Sequence, residues 1–305
     1  MTNNRLRLPP LNALKAFHAA VRHDSIRAAA DELLVTPQAV SQQLKLLEDT
    51  LQVELFTRKG RAIEKTEAAI VLARFVDAGF EELAEGVRRV TKRKYKNRIT
   101  LNVSPYFATR YLLPRINHFR ENMPDSDLRM TTMVDTPDFA RDDIDLAVQW
   151  GYNEWKSLDA VLLLKDHKVI TCTPEIGAKI KTPRDLLNFT LLHPLLQNSM
   201  WSDALAFLGL GDQAISSEIA FHDAATMRRA TLSSMGIGLV SRMDALNDIR
   251  AGDLVAPLGL DVLNDLPPDN VPGFYLVLPR GHRRVGSISK LCDWITSENW
   301  AEVPT

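Results

Sequence analysis

Gln38, Ser41, Gln42 and Lys45 fall on one side of a helical repeat whose opposite side carries Val40, Leu44, Leu47 and Leu51. Amide and hydroxyl side chains can hydrogen-bond base edges and a lysine can neutralise phosphate, so this face has the chemistry of a DNA major-groove reader. An ordinary amphipathic helix with a solvated polar face would show the same pattern. Arg58, Lys59 and Arg61 surround Gly60, and a basic hairpin tip suits the DNA backbone or minor groove; a solvated turn is the alternative. Further along, Ser104-Pro105 offers a hydroxyl and free backbone N–H groups to an anion or polar ligand, or simply a capping serine. His193, His222 and Asp223 with Ser199 or Ser241 supply the residue types of a hydrolytic triad. Neither serine sits in a Gly-x-Ser-x-Gly elbow, and Glu/His metal spacing and dinucleotide fingerprints are missing, so no enzyme is expected.

The elements that position the first group follow from caps and periodicity. Leu14, Phe17, Ala20 and Val21 share one side of a helix over 12–22. Ser25 can cap a second helix over 26–34, where Ala28, Ala29 and Ala30 permit close helix approach. Only Val35 and Thr36 then precede a third helix, with Thr36 as its cap and Pro37 in its first turn. A short turn between two steeply crossing helices is a helix-turn-helix, and its second helix enters the groove. Residues 53–56 and 62–65 read as two short strands around the Lys59-Gly60 turn, making a wing. Thr66 can cap a long helix to about residue 93, with Leu72, Val76, Gly79, Leu83, Val87 and Val90 as its apolar stripe. At roughly 28 residues it would span about 42 Å, which favours a helix that pairs two chains over one buried in its own domain. Arg88, Arg89, Lys92, Arg93, Lys94, Lys96 and Arg98 end it as a solvated hinge.

From residue 99 short apolar runs at 99–104, 128–134, 146–150, 161–164 and 169–173 are interspersed with helical patterns, and later runs at 191–193, 219–223, 236–241 and 274–279 continue the alternation. This predicts α/β units with mainly parallel sheets, closed by a helix over 288–295 that turns Leu291, Cys292 and Trp294 inward. The length of 305 residues suggests about two domains, and 45% hydrophobic with 25% charged residues is ordinary globular composition. No apolar run approaches the roughly 20 residues of a membrane span, and the start lacks a signal peptide's apolar core, so a cytoplasmic protein is expected. Cys172 and Cys292 stand far apart without a Cys/His partner at ligand spacing, and are expected as buried, reduced thiols. Residues 1–98 hold 18 Lys+Arg against 12 Asp+Glu; the totals of 37 and 38 leave 19 against 26 for the rest. A front half at +6 and a back half at −7 suggests that only the front meets a polyanion.

Taken in order, Leu8-Pro9-Pro10-Leu11-Asn12-Ala13-Leu14, Phe17, Ser25, Ala29-Ala30, Leu33, Val35-Thr36, Ala39-Val40-Ser41, Gln43-Leu44, Leu47-Glu48, Leu51, Leu55-Phe56, Arg58, Arg61 and Thr66 match the register of the LysR-type transcriptional regulators. The chain resembles in particular the branch that includes the glycine-cleavage activator. Departures are Ile26 for an aromatic, Arg27 for Ser or Thr, Gln52 for Gly, Lys65 for Leu, Ala69 for Gly and Pro37-Gln38 for Gln-Pro. Arg27 adds a phosphate contact and Pro37 removes a side chain that commonly faces bases, so base reading is expected from Gln38, Ser41 and Gln42. The resemblance implies a winged helix-turn-helix domain over 1–65, a dimerising linker helix over 66–96 and a two-lobed α/β effector domain, similar to periplasmic binding proteins, over 97–305. Lobe I would take about 97–166 and 273–305, and lobe II about 167–272. A small-molecule effector would sit between the lobes near Ser104, Thr132, Trp150, Trp201, His222 and Asp223, in keeping with ligand clefts at strand ends. Where relatives often carry Arg, Gln149 stands. The implied partners are double-stranded DNA, a second copy in a dimer or tetramer, and RNA polymerase as a further candidate, with no cofactor, metal or membrane. A DNA-binding protein whose back half binds a partner instead of a ligand is the alternative.

Overall fold

Caps and periodicity set the first helices in the computed structural model, which describes residues 8–59, 62–91, 98–124, 126–139, 141–195, 199–211, 213, 215 and 217–302. The chain divides into two compact units, 1–94 and 95–305.

The first unit begins with α1 (Leu11–His23), α2 (Ile26–Leu33) and α3 (Pro37–Leu51). The Ser25 hydroxyl accepts from Ala28 N at 3.3 Å and the Thr36 hydroxyl from Ala39 N at 3.2 Å, so both N-termini are capped as the sequence implies. Between α2 and α3, Leu34 takes the left-handed conformation (φ 56°) and closes α2 through its N–H. Phe17, Ala20, Ala29, Ala30, Leu44 and Leu47 meet in the core, where the alanines let α2 approach closely. Strands β1 (Phe56–Lys59) and β2 (Ala62–Lys65) pair antiparallel, Phe56 against Lys65. Val53, Glu54 and Leu55 precede the first strand rather than belong to it, because Glu48 Oε1 accepts from the N–H groups of Leu55 (2.8 Å) and Phe56 (3.1 Å) and ties that segment to α3. The Thr66 hydroxyl caps α4 (Glu67–Thr91) by accepting from Ala69 N at 3.2 Å.

The expected stripe of α4 divides along the helix. Ala69 and Val76 are buried in the unit's own core, with Leu72, Ala73 and Phe80 packed on it. The early part of the stripe is thus already covered. On another face of α4, Ile70, Val71 (53% exposed) and Phe75 (74%) are exposed, and further along the stripe Leu83 and Val87 are exposed too.

The second unit holds two sheets. The first contains β3 (Arg98–Val103), β4 (Asp127–Thr132), β5 (Leu146–Gly151), β6 (Asp159–Lys165) and, from the end of the chain, β11 (Gly273–Leu278), in the order β4-β3-β5-β11-β6. The second contains β7 (Lys168–Thr171), β8 (Leu191–Pro194), β9 (Glu218–Phe221) and β10 (Ile237–Ser241), in the order β7-β10-β8-β9. Both are mixed rather than mainly parallel. β3, β4 and β5 run parallel, as do β8, β9 and β10, but β11 is antiparallel to β5 and β6, and β7 to β10. The antiparallel strands flank the two places where the chain passes between sheets, so the crossings themselves break the βαβ rule.

Helix α5 (Pro105–Phe107) follows β3, then a π turn (Ala108–Leu112), a 3-10 turn (Leu113–Arg115) and α6 (Ile116–Asn122). Pro114, which has no N–H to give, accounts for the loss of regular helix there. The remaining helices are α7 (Pro174–Gly177), α8 (Ser199–Phe207), α9 (Ala224–Leu232), α10 (Arg242–Ala251) and α11 (Gly286–Ser297). Leu291, Cys292 and Trp294 of α11 pack with Leu101, Phe107 and Phe274 in one core, and Cys172 with Ile170, Trp201 and Leu239 in the other. Gly238 lets β10 pass against the Thr231 side chain of α9, where a Cβ would collide. Both cysteines are free and buried, and burial raises the pKa of each thiol, that of Cys172 to about 11. Among the described residues no helix is long and apolar enough to cross a membrane, and no cluster of His, Cys, Asp and Glu could hold a metal.

Candidate functional site

Two surfaces carry the chemistry. On α3, Gln38, Gln42 and Lys45 are exposed, while Ser41 is half-buried and its hydroxyl donates to Pro37 O at 3.0 Å. Ser41 therefore reaches outward with its lone pairs rather than its proton. These four side chains line one open groove together with Glu48, Asp49 and Glu54. Glu48 is held by the Leu55 and Phe56 amides, and Asp49 and Glu54 add negative charge to the same groove. Thr36 and Pro37 are committed to starting the helix. Arg27 is exposed on α2. Arg58 and Lys59 lie on β1, and Arg61 lies outside the described residues.

The second surface is a cavity of about 330 Å³ in the C-terminal unit, between side chains of the two sheets. Of the residues that the resemblance put near an effector, Ser104, Trp150, His222 and Asp223 line it. Thr132 and Trp201 do not. Thr132 ends β4 on the exposed surface, and Val134 and Thr136 line the cavity in its place. Trp201 is 2% exposed in the core beside the four-stranded sheet, its Nε1 donating to Leu192 O at 3.0 Å. Its aromatic bulk is a core anchor rather than a ligand wall. Gln149 also faces away from the cavity: it is buried and its Nε2 donates to Asp135 O at 3.3 Å, beneath the segment bearing Val134 and Thr136.

The floor is a buried polar cluster drawn from both sheets. Lys168 Nζ lies 2.5 Å from Asp166 Oδ2, donates to Ser241 Oγ at 3.0 Å and sits 5.1 Å from the centre of the Trp150 ring. Trp150 Nε1 donates to the same Asp166 oxygen at 2.8 Å. Asp166 and Lys168 are also where the chain leaves β6 for β7. Beside them the Tyr106 hydroxyl is buried with no hydrogen-bond partner among the described residues. Burial, then the charges of Asp244 and Asp166, raise its pKa. Arg110 pairs with Asp244 at 3.6 Å, and His222, which lines the cavity, lies 3.5 Å from Asp135. Asp223 caps α9, accepting from Thr226 N at 2.8 Å and Thr226 Oγ1 at 2.6 Å. Burial works to raise the pKa of its carboxyl, but Thr226, the Ala225 amide and His222 together hold it below the ordinary value.

Sequence reasoning missed Tyr106, Lys168, Ser241 as a cavity residue, and Phe274. The available signal was the charged step Asp166-His167-Lys168 between two apolar strands, which located the crossing but not the cavity floor. No triad assembles among the described residues. His193 contacts Glu218, His222 faces Asp135, and Ser241 accepts from Lys168.

A family model described as bacterial regulatory helix-turn-helix protein, lysR family, matches residues 11–70, and one described as LysR substrate binding domain matches residues 92–300. The chain is 34% identical over 299 residues to the glycine cleavage system transcriptional activator of Escherichia coli K12, covering 97% of this chain and 96% of that one. To the HTH-type transcriptional activator AmpR of Citrobacter koseri it is 32% identical over 253 residues, covering 83% and 88%. Among solved structures, the effector domain of AmpR from Pseudomonas aeruginosa matches with a TM-score of 0.56 at 21% identity, covering 66% of this chain and 94% of that one. CrgA of Neisseria meningitidis, a LysR-type regulator, matches with a TM-score of 0.52 at 22% identity, covering 94% and 98%. These likenesses show the fold, and the curated relatives are regulators of transcription rather than enzymes. Both family models and a relative aligned along almost the whole chain place this protein in the LysR family of transcriptional regulators, with a helix-turn-helix DNA-binding domain ahead of an effector-binding domain.

Proposed function

We propose that this regulator reads base edges with Gln38, Ser41 and Gln42 and meets phosphates with Arg27, Lys45, Arg58, Lys59 and Arg61, while Thr36 and Pro37 fix where the reading helix begins. A small molecule held in the cavity by Ser104, Trp150, His222 and Asp223, with Lys168 and Tyr106 added, alters how that reading is presented. The observation that carries this is the cavity of about 330 Å³ walled by residues of both lobes, in a chain whose other unit exposes Gln38, Gln42 and Lys45. A ligand acts here only by favouring one arrangement of the protein over another.

The division into 1–65, 66–96 and 97–305 is part of the proposal, as is pairing of two chains through α4. Val71 and Phe75 stand exposed, and Gly79 and Gly86 have open space at their Cβ positions, which lets a partner helix come close. Assembly of dimers into a tetramer, contact with RNA polymerase and residence in the cytoplasm belong to the same reading.

Two measurements test it. Footprinting should reveal a pseudo-palindromic site with half-sites about one helical turn, or a multiple of it, apart. Gln42→Ala should relax base preference, whereas Arg58→Ala should weaken binding to all sequences and flatten the salt dependence. A protein that prefers no promoter DNA over random duplex at moderate salt would not be the regulator described. A metabolite that raises the melting temperature of the C-terminal transition supports the effector role. A broad screen without any shift refutes that role.

A further inference from the structure

The cavity has more acidic side chains than one lysine can balance, and a buried hydroxyl that finds no hydrogen-bond partner among the described residues. Among its described lining residues Glu154, Asp166 and Asp223 are acidic, and Lys168 is the only Lys or Arg. A dianion such as a phosphate ester or dicarboxylate would enter a field that already carries excess negative charge. The donors nevertheless converge. Lys168 uses two of its three N–H groups on Asp166 and Ser241, the Tyr106 hydroxyl is buried without a hydrogen-bond partner among the described residues, and Ser104 makes no capping bond with its side chain. On the acceptor side, Asp166 takes Trp150 and Lys168 on Oδ2, and Glu154 takes the Tyr152 amide on Oε2 at 2.7 Å, leaving the second oxygen of each carboxylate for a further donor. Pro105, Val134, Met227 and Phe274 supply apolar wall. The volume, about 330 Å³, is near the lower end for ligand pockets.

We propose that the effector is a small zwitterion, one carboxylate and one amine on an apolar body, its carboxylate received by Tyr106, Ser104 and Lys168 and its amine by Glu154 and Asp166. This rests on the effector reading above and names the ligand class for that site. The two ends carry opposite charge, so the ligand adds no net charge to an acidic cavity while meeting both unsatisfied sets. A lone acid or a lone amine meets one set only.

The test uses the full-length protein, with calorimetry and thermal unfolding against the common L-amino acids, the amine and the carboxylic acid derived from the best of them, succinate and inorganic phosphate. The amino acid should raise the melting temperature of the C-terminal transition, and each single-ended analogue should bind at least about tenfold more weakly. Tyr106→Phe, which removes only the hydroxyl, should weaken the amino acid and the acid but not the amine. Glu154→Gln should weaken the amino acid and the amine but not the acid. Lys168→Met is avoided as the main probe because it disturbs a buried pair. Tighter binding of succinate or phosphate than of any amino acid overturns the proposal while the effector reading stands. So does a shift produced only by sugar phosphates, nucleotides or aromatic acids in a wider screen. No shift from any compound removes both.

Discussion

Gln52 illustrates how one position can be off-pattern and still fold. It ends α3 in the left-handed conformation at φ 54°, and its Nε2 donates to Asp49 O at 2.6 Å. The family resemblance implies glycine there, and the dihedral gives the reason, since a Cβ is disfavoured in this region. Gln52→Gly should therefore stabilise the N-terminal unit by about 1 kcal/mol or less, the side-chain bond being a partial offset. Urea unfolding followed on the N-terminal transition checks the sign; a lower midpoint would mean that the hydrogen bond outweighs the backbone strain. Glu32 makes a second residue-scale case. His23 Nε2 lies 2.5 Å from Glu32 Oε2 and Arg22 donates to Oε1 at 3.3 Å, and the His23 hydrogen bond above all lowers the Glu32 pKa. A carboxyl whose folded pKa is depressed stabilises the fold above its unfolded pKa and loses that contribution as pH falls through the folded value. Glu32→Gln should thus lower the N-terminal midpoint slightly near neutral pH, with the difference from the parent closing as pH falls through the depressed folded pKa. The group is near the surface, so the effect is small and weakens with salt. A difference that grows on acidification would contradict this assignment.

Among the elements, those whose determinants are local were legible in the sequence. Ser25, Thr36 and Thr66 cap α2, α3 and α4 through bonds made within three residues, and the alternating strands of the C-terminal unit lie within a few residues of their expected positions. Features decided by distant partners were not legible. Trp201 and Trp150 are both aromatics at helix or strand ends, and only packing tells that one is core and the other cavity wall. Strand direction in the mixed sheets depends on β11 returning from the end of the chain, which no local pattern records. The long helix shows the same limit. A three-four repeat marks an apolar face without saying which neighbour covers it, and here the first half of the stripe is covered by α1 and the rest of the N-terminal core. Separating the two roles of α4 gives a prediction. Phe75→Glu, on the exposed face, should weaken self-association at least about tenfold while leaving the N-terminal unit folded, as light scattering and circular dichroism would read. Val76→Glu, one residue on and buried, should instead destabilise the unit, since it places an unpaired charge in the core. If Phe75→Glu left the oligomer intact, pairing would have to use another surface.

At the scale of the molecule, the proposed regulation requires that an event in the C-terminal unit depend on how its two sheets are held, and the Asp166–Lys168 cluster joins them. Trp150 comes from the five-stranded sheet, Ser241 and Lys168 from the four-stranded sheet, and Asp166 from the step between. The side chains of Lys168 and Asp166 are 6% and 5% exposed, so the two charges depend on each other. Buried pairs of this kind contribute little net stability compared with apolar substitutes, but losing one partner strands the other. Lys168→Met should accordingly destabilise the C-terminal transition by about 3 kcal/mol or more, because Asp166 would remain buried without its counter-charge. Adding Asp166→Asn to that variant should recover much of the loss, since the amide needs no counter-charge and can still accept from Trp150. The double-mutant cycle reads the coupling directly in thermal unfolding of the full-length chain, with the N-terminal transition as an internal reference. If the two substitutions simply added, the cluster would be a set of independent contacts rather than a joint between lobes, and a ligand at its edge would have no purchase on their arrangement.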